Sequence, residues 1–149
     1  RELWQPLGCE ESANFTVDPA GYALACGGLN ATLRDYARFG QMLLQRGIVN
    51  DRQVVPAEWI DDIHNADPNL FGEPYTEAAP NGAYRNQFWI EDVERRAFMA
   101  RGVFGQLIYV DPEHQMVVVK LSTWPEFTSV PRLKSALDAI HAIGTHLNQ

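Results

Sequence analysis

The amino-acid sequence predicts an α+β domain in which an antiparallel sheet is flanked by helices. Three apolar runs follow one another closely, Ala97–Val103, Gln106–Val110 and Met116–Ser122, and short turn-forming connections separate them. This spacing is typical of antiparallel strands joined by tight turns. In the third run both alternating faces are mostly apolar, so we expect this strand to be covered on both sides.

Length and charge limit the function classes. The chain has 149 residues, of which 46% are hydrophobic, and a formal net charge of −7. This length suits one domain over residues 1–149 with a single core. The acidic balance argues against a nucleic-acid partner, because the field around the protein repels polyphosphates. No apolar run approaches the roughly 18 residues that a membrane span needs.

The segment before the first long helix is predicted to be largely irregular. Arg1 to Leu7 is expected to form the last turns of a helix that began upstream, ended by Pro6 and Gly8. The chain starts like an internal cut rather than a signal peptide. From Cys9 to Leu29 the sequence has no sustained period and several glycines. We therefore expect a loop that positions its neighbours.

Two helices are predicted next. In residues 32–46, Thr32 can cap the first turn, the apolar residues share one stripe that we expect to be buried, and Gly47 ends the helix. A shorter helix is predicted over residues 56–65, because a proline suits its first position. In it, Trp59 and two isoleucines are expected to pack inward while two aspartates face water.

The middle of the chain predicts a loop and one more strand. Residues 66–82 are rich in proline and glycine, so we expect a long surface loop. In this loop Phe71 and Tyr75 either contact a ligand or anchor the loop. Residues 87–90 form the additional strand, and a charged turn at residues 91–96 leads into the sheet.

The C-terminal segment predicts the helix that covers one face of the sheet. Ser129 and Pro131 are suited to its start, and apolar residues repeat at helical spacing as far as Leu147.

The cysteines and histidines do not form a metal-binding motif. The four histidines are scattered, and the i,i+5 spacing of His141 and His146 does not place them on one helix face. We therefore predict no metal site. Cys9 and Cys26 are either free thiols or a disulfide, which would require their Cα atoms to lie within about 7 Å.

Common catalytic motifs are absent. The sequence contains no Gly-x-Ser-x-Gly, no phosphate-binding Gly-x-x-x-x-Gly-Lys loop and no His-Glu-x-x-His pair. The residues alone predict an α+β domain and do not assign a reaction.

Three segments carry a resemblance to a known family: GGLNATLRDYARFGQMLLQRG at residues 27–47, VVPAEWI at residues 54–60 and ARGVFGQLIYVDP at residues 100–112. In order and spacing they resemble the C-terminal part of the serine β-lactamase and penicillin-binding-protein superfamily, in particular class C-like esterases and 6-aminohexanoate-dimer hydrolases. The resemblance extends over nearly the whole chain. It implies the C-terminal part of a β-lactamase/transpeptidase-like fold.

This resemblance also implies a serine hydrolase that works through an acyl-serine. In the family, Ser-x-x-Lys supplies nucleophile and base, a Tyr-x-Asn-like motif shuttles protons, and a Lys-Thr-Gly-like triplet lines the pocket. Only the triplet can be placed here, so Ala100, Arg101 and Gly102 are the expected substrate-binding residues. Alanine stands where the family has lysine, the usual partner of a substrate carboxylate, and Arg101 is the candidate replacement. The backbone N–H of Val103 is the expected half of the oxyanion hole.

Gly102 has two interpretations. A glycine inside a strand lets the substrate backbone approach closely. Alternatively, it marks a bulge or bend between Val103 and Gly105. The resemblance favours the first interpretation.

The nucleophile motif is missing from this sequence. The residues three places after its four serines are Phe15, Pro125, Arg132 and Asp138, so no Ser-x-x-Lys occurs. We expect the nucleophile outside this chain, which is then an incomplete C-terminal portion of a hydrolase and inactive alone. The expected partners are a small ester or amide substrate, β-lactams included, and the missing N-terminal part; no cofactor is implied. The alternative is a non-catalytic binding or scaffold domain of the same fold.

The sequence further predicts an open sheet edge. In the family, strands from the N-terminal region complete this sheet. We therefore expect Met116–Thr123 to lie at an unpaired edge through which the isolated chain self-associates.

Overall fold

The computed structural model describes residues 2–147. Within them the strands are β1 (Asn14–Phe15), β2 (Leu29–Asn30), β3 (Ile48–Val49), β4 (Arg52–Gln53), β5 (Ala83–Arg85), β6 (Phe88–Ile90), β7 (Phe98–Arg101), β8 (Leu107–Asp111) and β9 (Met116–Lys120). The α-helices are α1 (Leu33–Leu44), α2 (Ala57–Asp61) and α3 (Val130–Leu147). The predicted α+β class is confirmed.

Strands β5 to β9 form one five-stranded sheet in which each strand pairs with the next along the chain. All of these pairings are antiparallel. The three apolar runs of the sequence correspond to β7, β8 and β9, and the predicted additional strand is β6. Strand β5 was not predicted, because its turn to β6 contains no glycine. Instead, Asn86 and Gln87 adopt φ values of 51° and 67° there.

Apolar clusters lie on both faces of this sheet. On one face, α1 and α2 pack against the sheet through a cluster that includes Met42, Leu43, Ile60, Ile63, Phe98 and Val110. On the other face, α3 packs through a cluster that includes Leu133, Leu137, Ile140, Met99, Tyr109 and Met116. Strand β9 contacts α1 and also contributes Met116 and Val118 to the α3 side. The expectation that this strand is covered on both sides is confirmed.

Helix α1 starts as predicted but buries a different set of residues. The Thr32 side chain accepts a hydrogen bond from the Asp35 backbone at 3.2 Å. Leu33, expected in the buried stripe, is 47% exposed, whereas Asp35 is fully buried. Burial of the Asp35 carboxylate is possible because it accepts hydrogen bonds from the backbone N–H groups of Glu10 and Glu11, at 2.9 and 3.2 Å.

Several local expectations are corrected. Residues 2–8 form hydrogen-bonded turns rather than the end of an α-helix, and Arg1 lies outside the described residues. The segment from Cys9 to Leu29 is not wholly irregular, because β1 and β2 pair as a small ribbon. Trp59 is 42% exposed rather than packed inward.

The short second helix is present as predicted. Helix α2 continues into a 3-10 turn at Asp62–Asn65, which buries Ile60 and Ile63. Cys9 and Cys26 are free thiols. In the described part of the chain, no helix combines the length and apolar character that crossing a membrane requires.

Candidate functional site

The four predicted site residues lie together where β7 ends. Ala100 and Arg101 are its last two residues. Gly102 follows in extended conformation, with φ −104° and ψ 168°, and Val103 is the first residue of a 3-10 turn, Val103–Gly105. The strand is therefore shorter than predicted. The structure contains the bend at Val103–Gly105 that the second interpretation of Gly102 describes, and the approach of a substrate at Gly102 stays a prediction.

One edge of β7 is open next to this bend. On one side β7 pairs with β8 along its whole length, from Phe98 to Arg101. On the other side it pairs with β6 only through Phe98 and Met99. The second half of β7 thus has backbone groups without a strand neighbour on that side, and an extended ligand could pair there as an added strand does.

The Val103 N–H lies immediately after the open half of β7. Among residues 2–147 it has no hydrogen-bond acceptor, and the residue is 41% exposed. Backbone N–H groups are nearly always paired when they are buried. Because Val103 is an exposed residue and its N–H is unpaired among the described residues, this N–H is a candidate donor to a ligand.

The turn that holds Val103 is anchored to the segment after β9. The Phe104 N–H donates to the carbonyl oxygen of Phe127 at 2.9 Å, and its own carbonyl accepts from the N–H of Trp124 at 3.1 Å. The Phe104 and Phe127 rings pack edge to face with centroids 5.6 Å apart. These contacts hold Phe104 at a φ of 55°, a left-handed conformation that is uncommon for a residue with a side chain.

Two glycines make this turn possible. Gly105 has a φ of 85°, and a Cβ on it would overlap the Trp124 indole. A Cβ on Gly102 would lie 2.9 Å from the Cβ of Gln106. Close packing against Gln106 is therefore sufficient to explain a glycine at position 102, independently of any substrate.

Two cations line a shallow cleft beside the turn, and each is stacked on a tryptophan. The Arg101 guanidinium carbon lies 4.5 Å from the centre of Trp89, and Lys120 Nζ lies 4.6 Å from the centre of Trp124. Among the described residues neither forms a salt bridge with a carboxylate, and burial lowers the pKa of both below its ordinary value. The cleft encloses ≈ 30 Å³, enough for about one water molecule.

The loop residues Phe71 and Tyr75 reach the same area. Their rings lie 6.1 and 5.0 Å from Trp89, and Tyr84 lies 4.9 Å from it on the other strand of the β5–β6 hairpin. Both loop residues therefore anchor the loop onto Trp89. Tyr75 remains 48% exposed. The sequence analysis did not identify Trp89 as the centre of this cluster, because nothing in its local pattern shows which distant side chains meet it.

A group of potential metal ligands lies elsewhere, in the β8–β9 turn. The ligand atoms of Asp111, Glu113 and His114 lie within 4.8 Å of one another. The buried Asp111 carboxylate already accepts hydrogen bonds from the backbone N–H groups of the other two, at 3.0 and 3.2 Å, and lies 2.7 Å from His114 Nδ1. These bonds close the turn, and this structural role accounts for the group.

Comparison with known proteins assigns the chain to a family. The sequence model of the Beta-lactamase family matches residues 3–142. The chain belongs to the beta-lactamase family. The 6-aminohexanoate-dimer hydrolase of Paenarthrobacter ureafaciens is 36% identical over 126 residues, which cover 83% of this chain and 32% of that protein. The resemblance predicted from the three sequence segments is thereby confirmed.

Solved structures of beta-lactamase-like proteins share the fold of this chain. A Bacillus anthracis protein provisionally described as a 6-aminohexanoate-dimer hydrolase superposes with a TM-score of 0.82 at 35% identity, covering 99% of this chain and 37% of that one. A protein of Bacteroides dorei, provisionally described as a beta-lactamase, shares the fold with a TM-score of 0.63 at 20% identity over 97% of this chain and 49% of that one. The chain thus spans about a third of the length of its 6-aminohexanoate-dimer hydrolase relatives.

Proposed function

We propose that this chain is the sheet-bearing part of a serine hydrolase that cleaves ester or amide bonds, small amides and β-lactams included, through an acyl-serine. The Ser-x-x-Lys motif that supplies the nucleophile lies outside residues 1–149. The observation that carries this proposal is the unpaired N–H of the exposed residue Val103 beside the open edge of β7. Membership of the beta-lactamase family and the hydrolase relatives support hydrolysis as the reaction.

In this proposal the substrate lies along the open half of β7. Its carbonyl oxygen accepts a hydrogen bond from the Val103 N–H, and this bond strengthens as the serine oxygen attacks and negative charge develops on that oxygen. Gly102 leaves the approach free of a side chain. Ala100 and Arg101 line the path, and Arg101 supplies the cation that faces a polar or anionic part of the substrate.

The Arg101 side chain is well suited to this role. Its stacking on Trp89 holds the guanidinium in one place, so less conformational freedom is lost when a ligand binds. It has no carboxylate partner among residues 2–147 that a substrate would need to displace. The chain provides binding and one oxyanion donor, whereas bond formation requires the serine supplied from elsewhere.

Trapping of the acyl-enzyme tests this proposal. The full-length product of the gene is mixed with p-nitrophenyl butyrate, quenched and digested, and the site of butyrylation is located by mass spectrometry. We expect the butyryl group on a serine of a Ser-x-x-Lys motif outside this chain, and no burst of p-nitrophenol from the 149-residue chain alone. Butyrylation of Ser12, Ser122, Ser129 or Ser135 as the turnover intermediate would contradict the proposal, as would turnover without an acyl-enzyme.

A further inference from the structure

A ligand-sized cleft lies at the other end of the sheet, away from Val103. It is bounded by the end of α1, by α2 with the following 3-10 turn and by the β8–β9 turn, and its volume is ≈ 610 Å³. Small-molecule sites commonly measure about 300–1,000 Å³. Phe98, the first residue of β7, lines this cleft, whereas the candidate site is formed by the last residues of β7 and the turn after it. The two sites are therefore separate.

Part of the surface of the cleft is apolar. Leu44 and Pro112 line it, and both are half-buried, so each keeps apolar surface that water can reach. Leu43, Ile60 and Phe98 also line the cleft but are almost completely buried. An apolar group placed against Leu44 and Pro112 would remove apolar surface from water.

The rim of the cleft carries an excess of positive charge. Arg46 pairs with Asp61 through two contacts, Nε to Oδ1 at 3.2 Å and a terminal nitrogen to Oδ2 at 2.5 Å. Arg96 reaches the same carboxylate only at 4.0 Å, and its side chain is 65% exposed. One carboxylate thus faces two guanidinium groups, in a protein whose net charge is −7. This local charge favours an anion.

His64 adds a neutral hydrogen-bonding group. Its ring packs edge to face on Phe98 with centroids 5.5 Å apart, and neither ring nitrogen has a hydrogen-bond partner within residues 2–147. Burial lowers the pKa of His64, the nearby Arg96 lowers it further, and Asp61 opposes them. Its ordinary pKa is about 6.5, so the ring is neutral at pH 7 and offers one N–H donor.

We propose that this cleft binds a small organic acid, with its apolar body against Leu44 and Pro112 and its carboxylate between Arg96 and the N–H of His64. A single excess positive charge matches a monoanion. The guanidinium of Arg96 can form two parallel hydrogen bonds with a carboxylate, which are the strong, charge-assisted kind. The proposal does not depend on the reaction assigned to the β7 site.

Hexanoate is the probe, and hexylammonium is its control, because the two share the tail and differ in charge. Each is titrated into the 149-residue protein while the ring signals of His64 are followed by NMR. We expect hexanoate to shift these signals saturably and to raise the pKa of His64, because a bound anion favours the charged imidazole. Hexylammonium should do neither.

Matched variants locate the binding site. Arg96→Gln should weaken hexanoate binding by about tenfold or more, since it removes a charge-assisted contact. Because the Arg96 side chain is exposed, this substitution should leave the fold unchanged. Arg52→Gln removes an exposed arginine that does not line the cleft and should leave the affinity unchanged. Equal binding of hexylammonium, unchanged affinity in Arg96→Gln or no saturable shift would overturn the proposal. Loss of binding in the full-length gene product would also overturn it, because another part of the polypeptide would then fill the cleft.

Discussion

The side chain of Gln106 forms two hydrogen bonds with the backbone of Ser122. Its Nε2 donates to the Ser122 carbonyl at 2.5 Å, and its Oε1 accepts from the Ser122 N–H at 3.0 Å. The Gln106 carbonyl also accepts from the N–H of Gly102 at 3.0 Å. One residue thus links the start of β8, the segment after β9 and the bend that holds Val103.

Replacing Gln106 is expected to destabilise this region. Gln106→Ala leaves the half-buried N–H and carbonyl of Ser122 without their partners, which should lower the free energy of unfolding by about 1–3 kcal/mol. Urea denaturation measures this change. The matched control is Gln115→Ala, because Gln115 is exposed and forms one hydrogen bond, to Pro112; it should cost less than about 1 kcal/mol. Equal losses in both variants would show that the link to Ser122 is unimportant.

The buried carboxylate of Asp35 predicts sensitivity to acid. Burial acts to raise its pKa, but hydrogen bonds from Glu10, Thr32 and Glu11 and the charge of Arg38 outweigh this and lower the pKa below its ordinary value. A lowered pKa contributes stability that is present above the unfolded pKa of about 4 and is lost as the pH falls below it.

We therefore expect Asp35→Asn to melt at a lower temperature than the parent chain at pH 6. Between about pH 4 and pH 2.5 the melting temperature of Asp35→Asn should fall by less than that of the parent chain. Thermal melts followed by circular dichroism give both values. Asp138→Asn on the exposed side of α3 is the control and should follow the parent chain. The prediction fails if Asp35→Asn keeps the full acid-induced decrease.

The buried phenol of Tyr109 predicts a loss of stability at alkaline pH. Tyr109 is fully buried and donates a hydrogen bond to Glu91 at 3.1 Å. Burial first, and then the Glu91 carboxylate, raise its pKa well above the ordinary value. A raised pKa contributes stability that is lost as the pH increases beyond the unfolded value of about 10.

Tyr109→Phe should therefore be less stable than the parent chain at pH 8, by about 1 kcal/mol for the lost hydrogen bond. The difference should shrink or reverse at about pH 11, where the parent must keep a buried phenol protonated. Urea unfolding at both pH values measures this. Tyr22→Phe, at a position that is 74% exposed, is the control. A difference that stays constant with pH would contradict this account.

The outer edge of β9 predicts self-association of the isolated chain. In the described sheet β9 pairs only with β8, so one row of its backbone groups is available to a second strand. We expect sedimentation to show concentration-dependent dimers, which Leu121→Lys next to this edge should weaken by charge repulsion. Leu70→Lys, at a loop position that is 87% exposed, should not. A chain that stays monomeric at all concentrations, with rapid amide exchange in β9, would refute the prediction.

The sequence predicted the parts of the fold that depend on local periodicity. Apolar runs located β7, β8 and β9, and the capping residue Thr32 located the start of α1. Strand β5 was missed because its turn uses Asn86 and Gln87 at positive φ, where glycine would have been the usual signal. The burial of Asp35 was missed because its partners lie about two dozen residues earlier in the chain.

In the candidate site, too, only some features could be predicted from the sequence. The resemblance located Ala100 to Val103, but a run of apolar residues could not show that the strand ends at Arg101. The bend depends on contacts of Phe104 with Phe127 and of Gly105 with Trp124, which are distant in sequence. A Gly102→Val variant would not test the site, because the new side chain would clash with Gln106 whether or not a substrate approaches the strand.

The proposed role of the Val103 N–H is tested most directly by removing that group alone. Val103→Pro lacks the N–H, and the backbone accepts proline there: Gly102 is extended, as the residue before a proline should be, and Val103 is the first residue of its turn. Val103→Ala keeps the N–H and is the matched control. Both are made in the full-length gene product, and kcat is measured with p-nitrophenyl butyrate. We expect Val103→Pro to lower kcat by about 10²–10³-fold and Val103→Ala to keep most of the activity. Equal activities in the two variants would contradict the assignment of this N–H to the oxyanion hole.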